Sequence, residues 1–271
     1  MVTALKTSIN ILLVFLFAAC TSVPDERMTP YVDFPETREL TARTLSLDSA
    51  LFRYPYRVRV QDDKAVVLDL HGTEYFFHAF HYPGFHYLSS FGKRGDAPEE
   101  MLSAENLRWN GNFLWTLDSN KSELTRLGFA SSGDSLLRLE AVSLDEELLR
   151  ALDFVQYDDS TFIIPDYSGD SRFCLVSRQG KLLHKIGTIP TTDEDALKNA
   201  HPALAQAWRS FIDYNPRNGV LAAVTQLGEV LEIYNLKDST HIVRIGPNGE
   251  PEFQISQGYG IPTGIMGFSD I

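Results

Sequence analysis

Two cysteines in 271 residues, Cys20 and Cys174, leave almost nothing with which to build a disulfide framework. Basic charge is also scarce. The 24 lysines and arginines face 36 aspartates and glutamates, giving a formal net charge of −12. No basic cluster runs longer than Lys93-Arg94. Binding to a phosphate backbone draws its affinity from clustered cations, so the sequence argues against nucleic acid as a partner. It also lacks a Gly-x-Ser-x-Gly elbow, a P-loop and a Gly-x-Gly-x-x-Gly fingerprint. Nothing therefore marks an elbow serine, a bound nucleotide or a dinucleotide, and no cofactor is expected. Past the N-terminus, no apolar run is long enough to cross a bilayer. The whole chain is 44% hydrophobic and 22% charged, the composition of a soluble globular chain rather than a disordered one.

The one long apolar run is at the start. Lys6 precedes an uninterrupted stretch from Ile11 to Phe17, the length of a signal-peptide core and short for a permanent span. It ends in Phe17-Ala18-Ala19-Cys20, which resembles the lipobox of bacterial lipoproteins, although Phe17 stands where that motif has an aliphatic residue. The resemblance implies that residues 1–19 are a signal peptide and that Cys20 is the lipidation site, holding the protein to a membrane. Each buried CH₂ of an attached chain contributes about 0.8 kcal/mol, so several acyl chains make a lasting anchor. An ordinary secretory signal, with no special role for Cys20, is the alternative. Residues 20–37 contain three prolines and read as a tether, followed by one domain over 38–271. Asp25-Glu26 resembles an acidic export tag, which points to the outer membrane or cell surface, with a periplasm-facing position as the other option. With Cys20 lipidated, Cys174 has no partner, and its strand-like surroundings make it a buried, inert thiol.

Downstream, the punctuation repeats. Asp62-Asp63, Asn110-Gly111 and Asp158-Asp159 each separate two β-rich runs, at an interval of 48 residues (62, 110, 158). Asp118 and Asp166 repeat at the same interval, and Gly84, Gly133 and Gly180 follow at nearly that spacing. Short strands and tight turns at this period are the mark of propeller blades. The expected fold is all-β: a β-propeller of four-stranded blades, incomplete, with four blades and the start of a fifth from residue 258. Thr191-x-x-Glu194 has the capping-box pattern and Pro202 suits a helix start, so one short helical insertion is expected between the third and fourth blades.

The segment Phe91-Gly92-Lys93-Arg94-Gly95-Asp96-Ala97-Pro98-Glu99-Glu100 is similar to a segment of six-bladed propeller lipoproteins of the TolB-like and NHL-like kind. Ala97 and Glu99 stand where that family often has glycine. Taken with the blade period, the insertion and the lipobox, the resemblance covers roughly residues 40–271. It implies a fold and a location; the family has no uniform activity to carry over.

Candidate sites are few. His78, His81 and His86 are the densest ligand-like cluster, with His81 and His86 expected to face each other if Pro83-Gly84 forms a two-residue turn. A catalytic zinc requires three protein ligands, so His78 would have to bend in as well. The competing reading is three histidines on an aromatic hairpin. Asp166 and Asp170 fit a hairpin turn better than a calcium loop. Trp208, on the insertion, is the aromatic singled out as a binding residue; Trp109 and Trp115 read as packing. These features suggest a membrane-anchored module that binds an unidentified protein, peptide or glycan, with a metal-dependent lactonase or hydrolase as the alternative.

Overall fold

The computed structural model describes residues 28–33, 35–45, 52–257 and 259–271. Residues 1–19, read as a signal peptide, Cys20 and the first part of the expected tether lie outside these residues. The described chain opens with a short strand, β1 (Met28–Pro30), and then builds four four-stranded antiparallel sheets in sequence. The first blade is β2 (Pro55–Gln61), β3 (Lys64–Asp69), β4 (Tyr75–His81) and β5 (His86–Lys93). The second is β6 (Ala104–Asn110), β7 (Phe113–Asp118), β8 (Glu123–Phe129) and β9 (Leu136–Ser143). The third is β10 (Val155–Asp158), β11 (Thr161–Pro165), β12 (Phe173–Ser177) and β13 (Leu182–Ile186). The 48-residue turns fall where expected, between the first two strands of each of these blades.

Position within a blade explains the strand sequences. The second strands β3, β7 and β11 carry continuous apolar runs, such as Ala65-Val66-Val67-Leu68, because neighbouring blades cover both faces. The fourth strands lie at the rim and are mostly exposed or half-buried; β9 alternates almost residue by residue. The blades stack through shared cores. Val66, Leu68 and Phe77 meet Leu107 and Leu114 between blades one and two. Trp115 and Leu117 meet Phe154, Phe162 and Cys174 between blades two and three. Val155, Ile163 and Phe173 meet Ile212, Leu221 and Tyr234 between blades three and four. The Trp115 and Phe162 rings pack edge to face at 5.0 Å, a geometry that adds about 1 kcal/mol to the area they bury.

The fourth blade departs from the expectation in two ways. Its first strand, β14 (Ser210–Asn215), does not stand out in the sequence; β15 (Val220–Thr225), β16 (Val230–Asn235) and β17 (Thr240–Ile245) match the expected runs. Residues 28–30, read as tether, add β1 parallel to β17 as a fifth strand and cover that edge. Residues 39–45, in contrast, form no strand and are exposed.

The helical insertion consists of α1 (Glu194–Asn199) and α2 (His201–Ala207). The N-cap of α1 is Asp193, whose carboxylate accepts from the Ala196 amide at 2.9 Å. Thr191 is therefore not the cap of a box: its hydroxyl accepts from the Asp193 amide and bonds Glu250. Beyond the fourth blade, β18 (Phe253–Ser256) and β19 (Tyr259–Pro262) form a lone hairpin. The Gly260 amide donates to Gln206 of α2, so the hairpin lies against the insertion. Leaving the first blade, Gly92 has φ +65°, and a Cβ there would meet the Phe77 ring at 2.6 Å, which is why glycine is needed at this exit.

Candidate functional site

The first strands β2, β6, β10 and β14 surround the propeller axis, and a chain of polar groups joins them. Arg57 on β2 donates through Nη1 to Asn106 Oδ1 on β6. Asn106 Nδ2 donates in turn to Asp153, just ahead of β10. The other oxygen of Asp153 accepts from the Ile212 amide on β14 at 3.0 Å. All three side chains are buried. A buried polar group is tolerated only when it is hydrogen-bonded, so this chain of bonds fixes the mutual register of four blades. Arg57 also lies over the rings of Tyr56 and Phe211, at 5.4 and 5.0 Å.

One step further along the same strands, the axis opens into a cavity of about 440 Å³. Arg59, Arg108, Gln156 and Asp213 supply its polar wall, and Trp109, Tyr157 and Tyr214 its aromatic one. Arg108 bonds Asp213 at 2.8 Å and reaches Asp153 at 3.3 Å, tying the mouth to the polar chain below. The Tyr157 and Tyr214 rings lie 5.3 Å apart, inclined at 50°. Burial and the neighbouring Tyr157 and Asp158 push the Tyr214 hydroxyl above its ordinary pKa, so it stays protonated and can donate. This is a concave site with flat apolar faces and fixed donors and acceptors.

The residues singled out from sequence fall elsewhere. His81 and His86 are cross-strand partners, as expected, but the turn between them runs over four residues, 82–85. His78 is three positions from His81 on one strand, so it points to the opposite face. There Nδ1 lies 2.8 Å from Ser90 Oγ, and burial lowers its pKa. His81 sits 3.4 Å from Asp63. The structure thus does not gather the three histidines, and among the described residues no group of three or more His, Cys, Asp or Glu could hold a metal ion. Trp208 is a second correction: it is fully buried at the end of α2, packed in the core between the insertion and the fourth blade, and cannot be a surface platform. The Lys185 ammonium lies 3.2 Å from both Asp166 and Asp170 and fills the space a cation would take. Burial pushes the Cys174 thiol up to about 12, consistent with an inert core residue.

Asp118 and Asp166 prove to be closing groups. Asp118 accepts from the amides of Leu102, Ser103, Asn120 and Lys121. Asp69 does the same for Arg53 and Tyr54 in the first blade, extending the series to 69, 118 and 166. The residues of that polar chain were missed in the sequence, yet they carried a signal: Arg57, Asn106 and Asp153 are polar residues at or beside first strands, spaced near the blade period.

Comparison with known proteins agrees with this architecture. Residues 33–271 match the family described as TolB-like 6-blade propeller-like. Among solved structures, a provisionally described exported protein of Bacteroides fragilis aligns with a TM-score of 0.50 at 10% identity, over 80% of each chain. A duf4221 family member from Bacteroides vulgatus gives 0.49 at 12% identity, over 80% of this chain and 65% of that one. A protein of unknown function from Desulfotomaculum acetoxidans gives 0.43 at 13% identity, over 68% and 53%. The chain therefore spans only part of the latter two. At 10% identity the likeness to the Bacteroides fragilis protein shows the fold alone. Among curated proteins, none matches the sequence significantly.

Proposed function

Since the chain belongs to the TolB-like 6-blade propeller-like family, whose scaffold is shared by unrelated functions, we propose its role from the site: a propeller that binds a polar ligand with a flat apolar face at the channel mouth. A sugar ring of a glycan meets that description best. The observation that carries the reading is the cavity of about 440 Å³ in which Tyr157, Tyr214 and Trp109 stand beside Arg59, Gln156 and Asp213. Aromatic faces stack on the apolar side of the ligand, while the charged and amide groups fix its orientation. The first strands that carry these residues are tied together beneath the mouth, so the site is set before the ligand arrives.

The lipobox-like Phe17-Ala18-Ala19-Cys20 supports the second half of the proposal, a lipid anchor on Cys20 that holds the domain at the outer membrane or cell surface. Intact mass of the protein made in a lipoprotein-processing host, compared with Cys20→Ser, tests this half. An added mass of acyl chains that vanishes in the variant is expected.

Trp109 lines the cavity, so its fluorescence provides the readout for the binding half. Titration with a panel of soluble oligosaccharides should give saturable quenching for at least one of them. Tyr214→Ala should weaken that binding about tenfold, the scale of a lost aromatic contact of about 1.4 kcal/mol. A panel without any saturable response, or affinity unchanged in Tyr214→Ala, would count against the mouth as the site.

A further inference from the structure

The fourth and first blades meet differently from the other pairs. Among the described residues, no shared apolar core joins them; Tyr56 and Phe211 touch at 6.5 Å, and the rest of the seam is spanned by residues 265–270. These residues are held as an extended peptide would be. The Gly228 amide donates to Ile265 O at 2.9 Å, the Gly267 amide to Gln226 O at 2.9 Å, and the Phe268 amide to Thr225 O at 3.0 Å. Leu227 and Met266 form an antiparallel bridge. A Cβ on Gly267 would lie 2.1 Å from Gly228 O and 2.8 Å from Thr225 O, so the groove accepts no side chain at that point. Three residues on, the Asp270 carboxylate enters a clamp of two arginines on β2. Arg57 Nη2 lies 3.0 Å from it, and Arg59 grips both oxygens at 3.2 and 3.3 Å.

We propose that this seam is a binding groove for an extended acidic peptide of the pattern Gly-x-x-Asp, and that residues 265–270 occupy it as a ligand in cis. The recognition mode is addition of a strand to the 225–228 segment, with a carboxylate as the anchoring side chain. The chemistry of the clamp dictates the acid. The Arg57 side chain is only 2% exposed; Asn106 and Asp153 compensate its inner side, and a carboxylate at the seam completes the compensation on the outer side. A segment that replaces residues 265–270 therefore binds best when it brings a carboxylate to the same place. The occupant in cis is lightly held: three backbone hydrogen bonds, Ile265 and Met266 61% and 74% exposed, and a carboxylate itself 37% exposed. Such segments open at low free-energy cost, which leaves the groove available for exchange.

The inference goes beyond the glycan reading and uses a different surface, although Arg59 borders both. The test uses the full chain carrying Gly267→Val and Asp270→Asn, which evicts the tail while leaving both arginines intact. The probe is a fluorescein-labelled peptide copying residues 265–271, followed by anisotropy. The altered chain should bind it at least about tenfold more tightly than the unaltered chain does. A peptide with Asn in place of its Asp should lose about tenfold, as should Arg59→Ala added to the altered chain. No binding, or binding indifferent to the Asp, overturns the proposal. If circular dichroism shows the altered chain unfolded, hydrogen exchange on the unaltered chain decides. Excess unlabelled peptide should speed exchange at the Gly267 and Phe268 amides, and unchanged rates overturn the proposal. Fluorescence titration of Tyr214→Ala with oligosaccharide reads the mouth alone, so failure of one site does not implicate the other.

Discussion

At the scale of single residues, the strongest constraints are buried charges shared between blades. Arg172 sits immediately before β12, and Glu232 lies on β16. Its Nε bonds both Glu232 oxygens at 2.9 and 3.1 Å, and Nη2 bonds one at 2.5 Å. Tyr234 donates to the same carboxylate at 2.6 Å. Burial alone would lower the Arg172 pKa, but the carboxylate outweighs it and holds the guanidinium above its ordinary value. Glu232→Ala strands that cation, and a loss of about 3–5 kcal/mol is expected in urea unfolding. Changing both residues to apolar ones of similar size should cost much less, because no charge is then left uncompensated. A Glu232→Ala loss below about 1 kcal/mol would show that the pair is not a structural key.

At the scale of elements, the same few devices recur and differ only in which atoms perform them. Asp69, Asp118 and Asp166 close the end of each second strand by accepting backbone amides. In the fourth blade Thr225 takes the place of the acid, and its hydroxyl accepts from the Val230 amide at 3.1 Å. The helical insertion starts on a single cap. Asp193→Ala should lower stability by about 1 kcal/mol, as cap removals generally do, whereas Thr191→Ala should do no more than loosen the Glu250 contact. Thermal melts of the two variants make the comparison; a larger loss for Thr191→Ala would restore the capping-box reading. Sequence made the helix start visible, since acidic residues cluster there, but placed the cap two residues early. Acids suit any position in the first turn, and only the backbone at Asp193 decides which one turns back to the amide.

At the scale of the whole molecule, the blade-four to blade-one seam is held by electrostatics where the other seams are held by apolar packing. Burial would raise the Asp270 pKa, yet Arg57 and Arg59 hold it below the ordinary aspartate value of 3.8. A carboxylate depressed in the folded state stabilises fully above its unfolded pKa and loses that contribution as pH falls through the folded one. The seam should therefore be unchanged from neutral pH down to about 5 and should loosen only below about 4. Hydrogen exchange of residues 265–270 across this range checks the sign. Exchange that quickens already between pH 7 and 5 would point to a histidine rather than to Asp270. Raised salt should act in the same direction as acid, since two of the three partners are partly exposed.

The blade rhythm was legible because turns and closing acids are local. A two-residue hairpin needs only residues nearby in the chain, and a closing Asp reaches amides no further away than its own blade and the segment leading into it, so each blade carries its own copy in sequence. The same locality let Cys174 be read as an inert core thiol. What the sequence could not decide was the meeting of residues from different blades: Arg57 with Asn106 and Asp153, Tyr157 with Tyr214, Asp270 with the arginines of β2. These pairs are set by how sheets rotate about a common axis, which depends on the packing of all the blades together. His78 and Trp208 show the same limit from the other side, since the strand face and the core position that disqualify them exist only once the sheets have stacked.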